Sequence, residues 1–203
     1  MRRKTLFYII FFSILVIAFY AILIALVPGL RKSNYPPISY VKPFSFTNQD
    51  GVVITEKTVA GKVYAVDYFF TTCTNICPII HNQMKRVYEH FKDTPGFLIL
   101  SHSSDPKHDS PGRLKHYADS MGVATSKWIF LTGEKDSLYR QARFSYMIDD
   151  PKNNLKNPDE DFLHTQFFAL VNKKGKVVKI YDGLKEKEVD ELIKDAEQLL
   201  KDD

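Results

Sequence analysis

Both cysteines of the chain, Cys73 and Cys77, fall in one stretch, FFTTCTNICPIIHNQM, over residues 69–84. At the amino end of a helix, backbone N–H groups and the helix dipole favour anions, which predicts a lowered pKa for both thiols. Thiolates are nucleophiles for disulfide exchange and soft ligands for Cu(I) or Zn(II). The spacing separates these uses only in part. Dithiol oxidoreductases place two residues between their cysteines, whereas Thr74, Asn75 and Ile76 lie between these, with Pro78 outside the pair. Four residues make about one helical turn, so both sulfurs can still point the same way and close a disulfide. Structural zinc wants four ligands, which two cysteines do not supply, while Cu(I) accepts three.

A third ligand is sought among six histidines: His81, His90, His102, His108, His116 and His164. A lone histidine among polar neighbours is usually a solvated surface group. His164 stands apart because it lies between a polar segment and the apolar run TQFFALV, at the lip of a strand. His81, four residues past Cys77, is its rival, although a helix begun at Pro78 would carry it away from Cys73. His102 and His108, in the loop after the second strand, are candidates for transient ligation or partner contacts. The plain alternative for His164 is a residue that caps or fills the strand end.

The elements that must position these groups follow from periodicity. Residues 44–55, FSFTNQDGVVIT, read as a hairpin turned at Asp50-Gly51. KVYAVDYFF, residues 62–70, is a buried central strand; the cysteine loop follows it, and a helix opens at Pro78. GFLILS, residues 96–101, is a second strand. Ser110 caps a helix that starts at Pro111 and closes at Gly122; residues 128–131 form a third strand, and residues 134–146 a third helix. Residues 147–162 read as an exposed insertion loop, HTQFFALV and KVVKIYDG as a hairpin, and residues 185–200 as a helix with one apolar face. The expected fold is α/β: a thioredoxin-like mixed sheet flanked by helices, with an N-terminal hairpin and one N-terminal transmembrane helix. In such a fold the loop entering the terminal hairpin passes over the dithiol, and oxidoreductases carry a cis-proline there; this chain has His164.

The 203 residues divide before this domain begins. Residues 6–27 are a nearly uninterrupted apolar run of about 22, long enough to cross a membrane and too long for a usual signal-peptide core. Arg2, Arg3 and Lys4 are expected to hold residues 1–5 in the cytoplasm, despite Arg31 and Lys32 on the far flank. Residues 28–43, bearing Pro36, Pro37 and Pro43, read as a stalk, and residues 44–203 as one extracytoplasmic domain able to bury a core without disulfides. Five of the cations behind the net charge of +4 flank the span, which leaves the outer domain near neutral and argues against a nucleic-acid surface.

The buried strand with FFTTCTNICP, the loop bearing Asp105-Pro106 and Asp109, the segment WIFLTG, and His164 before FFALVNKKGKVV together resemble the Sco/SenC family of membrane-anchored copper chaperones. The likeness covers roughly residues 43–200. It implies a thioredoxin-like fold that binds one copper ion, Cu(I) or Cu(II), through Cys73, Cys77 and His164. It also implies a metallochaperone rather than an enzyme, with a copper-receiving oxidase subunit or another copper chaperone as partner, in assembly of the copper centre of cytochrome c oxidase. The alternative within the family is thiol-disulfide reduction, with Cys73 and Cys77 as the reactive pair. Many members have an aspartate immediately before the histidine; here that residue is Leu163, with Asp161 and Asp159 further back.

Overall fold

A computed structural model describes residues 3–26, 37–74, 76–150, 152 and 161–202. The chain separates into two compact units, Met1–Pro36 and Pro37–Asp203. In the first, α1 (Arg3–Leu26) contains a 19-residue window, Lys4–Ile22, of mean hydropathy 2.5. That window is long and apolar enough to cross a membrane. The stalk expected over residues 28–43 lies largely outside the described residues, and its last part belongs to the second unit.

In that unit, strands β4 (Val63–Phe69), β5 (Phe97–Ser103) and β6 (Trp128–Thr132) are buried along their whole lengths. They pair in parallel, Ala65 beside Ile99 and Ile99 beside Trp128. Burial on both faces explains why their sequences are runs of apolar residues rather than alternations. The terminal hairpin, β7 (Phe167–Val171) and β8 (Lys176–Asp182), adds antiparallel to β4. An N-terminal hairpin, β2 (Ser45–Asn48) and β3 (Val53–Thr55), adds antiparallel to β6. With the short β1 (Ser39–Tyr40) the order is β1-β8-β7-β4-β5-β6-β2-β3. Both hairpins turn on an asparagine: Asn48 Oδ1 accepts from the N–H groups of Asp50 and Val52, and Asn172 Oδ1 from those of Lys174 and Lys176.

Alternation along β4 divides the core. Val63, Ala65 and Phe69 pack beneath α2 (Cys77–Phe91), α3 (Pro111–Met121) and α5 (Glu186–Lys201). Tyr64, Val66 and Tyr68 face the other layer, formed by α4 (Lys135–Gln141), the π turn Ala142–Tyr146 that continues it, and the N-terminal hairpin. Helices therefore lie on both faces of a mixed sheet, as the pattern of elements predicts.

Three details differ from the sequence expectation. Ser39 and Tyr40, expected in the stalk, pair with Val177 and Lys176 as an edge strand. Strand β5 continues to Ser103, so His102 lies in the sheet rather than in a loop; its fully buried ring stacks on Tyr68 with centroids 4.9 Å apart. The helix expected over residues 134–146 widens after Gln141 into the π turn, which ends at Met147 with φ 58°. Of the expected insertion loop, 151 and 153–160 lie outside the described residues, as does Asp159.

Candidate metal and thiol site

The cysteine loop leaves β4 at its carboxyl end, where open α/β sheets place their chemistry. Cys73 N–H donates to Phe70 O at 3.2 Å, a tight turn that returns the chain towards α2. The first residues of a helix have N–H groups without intrahelical partners, and Ile76 offers no side-chain cap. The sulfur of Cys73 fills that role, accepting from Cys77 N–H at 3.4 Å. This contact brings the two thiol residues together at the helix mouth, with Pro78 in the first turn.

The two thiols are not equivalent. Cys73 is half-buried, while Cys77 is only 6% exposed. Burial, followed by its hydrogen bond with Cys73, pushes the Cys77 thiol up to about 12. The expectation of a lowered pKa therefore fails at Cys77, because desolvation of the anion outweighs the favourable helix terminus.

Asp109, fully buried, holds the start of the loop. It accepts from Thr71 N–H and the Thr71 hydroxyl, and from Ser103 Oγ at 2.7 Å. Arg113 donates from Nε to the same Thr71 hydroxyl. The fold thus brings an arginine from α3 onto Thr71, two residues before Cys73, with its Nε 3.8 Å from Asp109.

His164 arrives on the segment that leads into β7. Burial alternates along this segment: Asp161 and Leu163 point inward, and Phe162 and His164 outward. The imidazole lies against Phe162, centroids 4.6 Å apart, and edge-on to Phe70 at 5.8 Å. His164 and Cys77 line one cavity of about 100 Å³, together with Phe70, Ile76 and Leu163 among others. The structure thus brings the histidine and the buried cysteine to a common space, with Cys73 attached through its sulfur. Among the described residues no three His, Cys, Asp or Glu side chains are close enough to hold a metal ion as placed.

Four of the other histidines are engaged elsewhere, and His116 is exposed on α3. His81 lies inside the core, 4% exposed, with Nδ1 2.6 Å from Tyr117 Oη and Nε2 3.5 Å from Asp67 Oδ2. His108 pairs with Asp105, and His90 with Glu197. His102 is sealed among Phe44, Phe46, Tyr68 and Tyr146.

Two groups were missed from sequence. Asp67 is a fully buried carboxylate that also accepts from Ser101 Oγ, which in turn accepts from Trp128 Nε1 at 2.7 Å. Its signal was a single charge inside the apolar run KVYAVDYFF. Arg143 is 3% exposed and pairs with Asp149 and Asp161. Nothing in its local sequence marks it, since its partners are distributed along the insertion.

Fold and site together define a thioredoxin-fold protein with a dithiol at the first turn of a helix and a histidine on the crossing segment. A family model described as SCO1/SenC matches residues 33–201, and the chain belongs to that family. It is 32% identical over 164 residues to the SCO1 protein homolog of Bacillus subtilis, covering 79% of this chain and 83% of that protein. It is similar to the solved structure of BsSco, a member of the Sco family of cytochrome c oxidase assembly proteins in which a disulfide switch is described. The TM-score there is 0.69 with 29% identity, over 83% of this chain and 98% of that one. Arabidopsis thaliana ScoI, solved with copper bound, aligns with a TM-score of 0.60 and 25% identity, covering 80% of this chain and 98% of that one.

Proposed function

We propose that this protein is a membrane-anchored copper-delivery protein that binds one copper ion through Cys73, Cys77 and His164 and supplies the copper centre of cytochrome c oxidase. The cavity shared by Cys77 and His164 carries the reading. Two soft sulfurs and an imidazole suit Cu(I), whereas among the described residues no fourth side chain completes the set that structural zinc requires. The half-buried Cys73 is the natural point of entry, since copper passes between proteins by exchange of exposed thiolate ligands. Residues 1–5 form the cytoplasmic end, residues 6–27 the anchor, and a tether leads to the folded unit on the extracytoplasmic side. Partners are a copper-receiving oxidase subunit or another copper chaperone.

An anaerobic Cu(I) titration of the detergent-solubilised chain, read by X-ray absorption, tests the proposal. One copper per chain with two sulfur neighbours and one nitrogen neighbour is expected. His164→Ala should weaken binding strongly; unchanged affinity removes the histidine from the ligand set.

A second reading is favoured by the sulfur-to-amide contact at the helix mouth, which keeps the thiols together: a thiol-disulfide reductant for partner cysteines. It requires Cys73 and Cys77 and tolerates loss of His164. Insulin reduction by the parent and by His164→Ala separates the two.

A further inference from the structure

The segment that carries His164 is held from one side by three anchors that alternate with the residues it presents. Asp161 accepts two bonds from Arg143, Nη1 at 2.7 Å and Nη2 at 2.8 Å, the paired geometry in which a guanidinium fixes a carboxylate in orientation as well as position. Arg143 Nε donates to Asp149 at 2.6 Å, so one buried side chain grips both ends of the insertion. Leu163 is 2% exposed, and its N–H donates to Tyr139 Oη at 3.2 Å. That hydroxyl donates to Ser104 O at 2.8 Å, and the Arg143 guanidinium lies 5.4 Å from the Tyr139 ring centroid. Finally, the Thr165 hydroxyl donates to Ile148 O at 2.7 Å. Side chains at 161, 163 and 165 therefore share one face of an extended segment, which leaves 162 and 164 on the opposite face, against Phe70 at the start of the cysteine loop.

His164 itself is not gripped through its ring by an adjacent carboxylate, since the residue before it is the buried Leu163. Its ring packs only against Phe70 and Phe162 among the ring contacts of the described residues, so the course of the backbone decides where it stands. The π turn supplies the hand that holds that backbone, because Arg143 lies within it, and Ile148 N–H closes onto Ala142 O at 3.1 Å just beyond.

We propose that Arg143, through its paired hydrogen bonds to Asp161, is the positioning residue that presents His164 to copper at the thiol site. This inference rests on the reading of His164 as a copper ligand. Arg143 touches neither the ion nor the sulfurs; it acts by restricting where the imidazole can go. Breaking the clamp leaves the two sulfurs intact and widens the range of positions open to the histidine, so affinity falls and nitrogen coordination becomes partial.

The test uses the full chain in detergent, Cu(I) competition for affinity, and X-ray absorption for the ligands. The variants are Asp161→Asn, Arg143→Met, His164→Ala and the combination of His164→Ala with each of the first two. Asp161→Asn keeps the shape of the carboxylate and serves if Arg143→Met does not fold. In the parent background each clamp variant should weaken copper about tenfold, the scale seen when residues that orient metal ligands are lost. The nitrogen signal should fall while sulfur coordination stays at two. In the His164→Ala background the same substitutions should change affinity less than twofold, because the residue they act through is gone.

A tenfold loss that persists without His164 overturns the proposal and makes Arg143 a brace of the fold. Clamp variants that bind like the parent, while His164→Ala binds weakly, overturn the positioning role alone. If His164→Ala itself binds like the parent, the ligand reading falls, and the proposal with it.

Discussion

At the scale of single residues, His102 is a costly placement. Among the described residues, neither buried ring nitrogen has a hydrogen-bond partner. Burial drives the His102 pKa from 6.5 down to about 3, so the folded state keeps the ring neutral while an unfolded chain takes up a proton below pH 6.5. The unfolded state then binds more protons, and stability falls as pH drops from about 6.5 towards 3, by about 1.4 kcal/mol per pH unit from this group. Above pH 6.5 this contribution is fully present. His102→Phe should remove that slope and relieve two unsatisfied nitrogens, with a gain of about 1–3 kcal/mol. Urea midpoints at pH 7.5 and 5.5 check it; a less stable variant with an unchanged pH dependence contradicts the argument. A second residue-level expectation concerns the thiols. Iodoacetamide at pH 8 should modify the half-buried Cys73 well before Cys77, whose thiol is held protonated by burial. Equal rates in peptide mass spectra would mean that the helix mouth opens readily in solution.

At the scale of elements, most of the site's scaffold could be read from local pattern, because the signals are local. Strand β6 is an apolar run and β4 one interrupted only by Asp67, α3 has its serine cap and left-handed Gly122, and the hairpins turn on Asx and glycine chemistry. What escaped is what depends on distant partners. His102 reads as a loop residue until a neighbouring strand covers it, and the π turn has no period of its own to detect. The lowered pKa expected of both cysteines treats the helix terminus as if it were exposed, whereas the packing of α2 decides the environment of Cys77. The same contrast applies to the brace under the cysteine loop. Asp109 serves three donors from two different elements, β5 and the loop after β4. Asp109→Ala would leave buried donors unsatisfied, each costing about 1–3 kcal/mol, so a total loss of roughly 2–4 kcal/mol in urea unfolding is expected. It should also bring the Cys73 and Cys77 alkylation rates closer together, since the loop would no longer be tied to β5. A variant with parental stability and reactivity would show that Arg113 alone holds Thr71.

At the scale of the whole molecule, an apolar N-terminal helix and a separately cored unit determine where copper and thiol chemistry can happen. Three cations precede the apolar segment, Arg2, Arg3 and Lys4, and two follow it, Arg31 and Lys32, so the charge bias that orients the span is small. The compartment matters because neighbouring thiols outside the cytoplasm oxidise unless a reductant or metal holds them, which makes copper loading and disulfide formation competing fates of the same pair. With the short end inside, a membrane-impermeant maleimide should label Cys73 in intact spheroplasts after mild reduction. Replacing Arg2, Arg3 and Lys4 by glutamate should lower that labelling several-fold, because the remaining cations then favour the opposite orientation. Labelling that needs detergent in the parent would place the folded unit in the cytoplasm. Delivery to an extracytoplasmic oxidase would then be impossible for this chain, even if its two sulfurs and histidine bind copper as proposed.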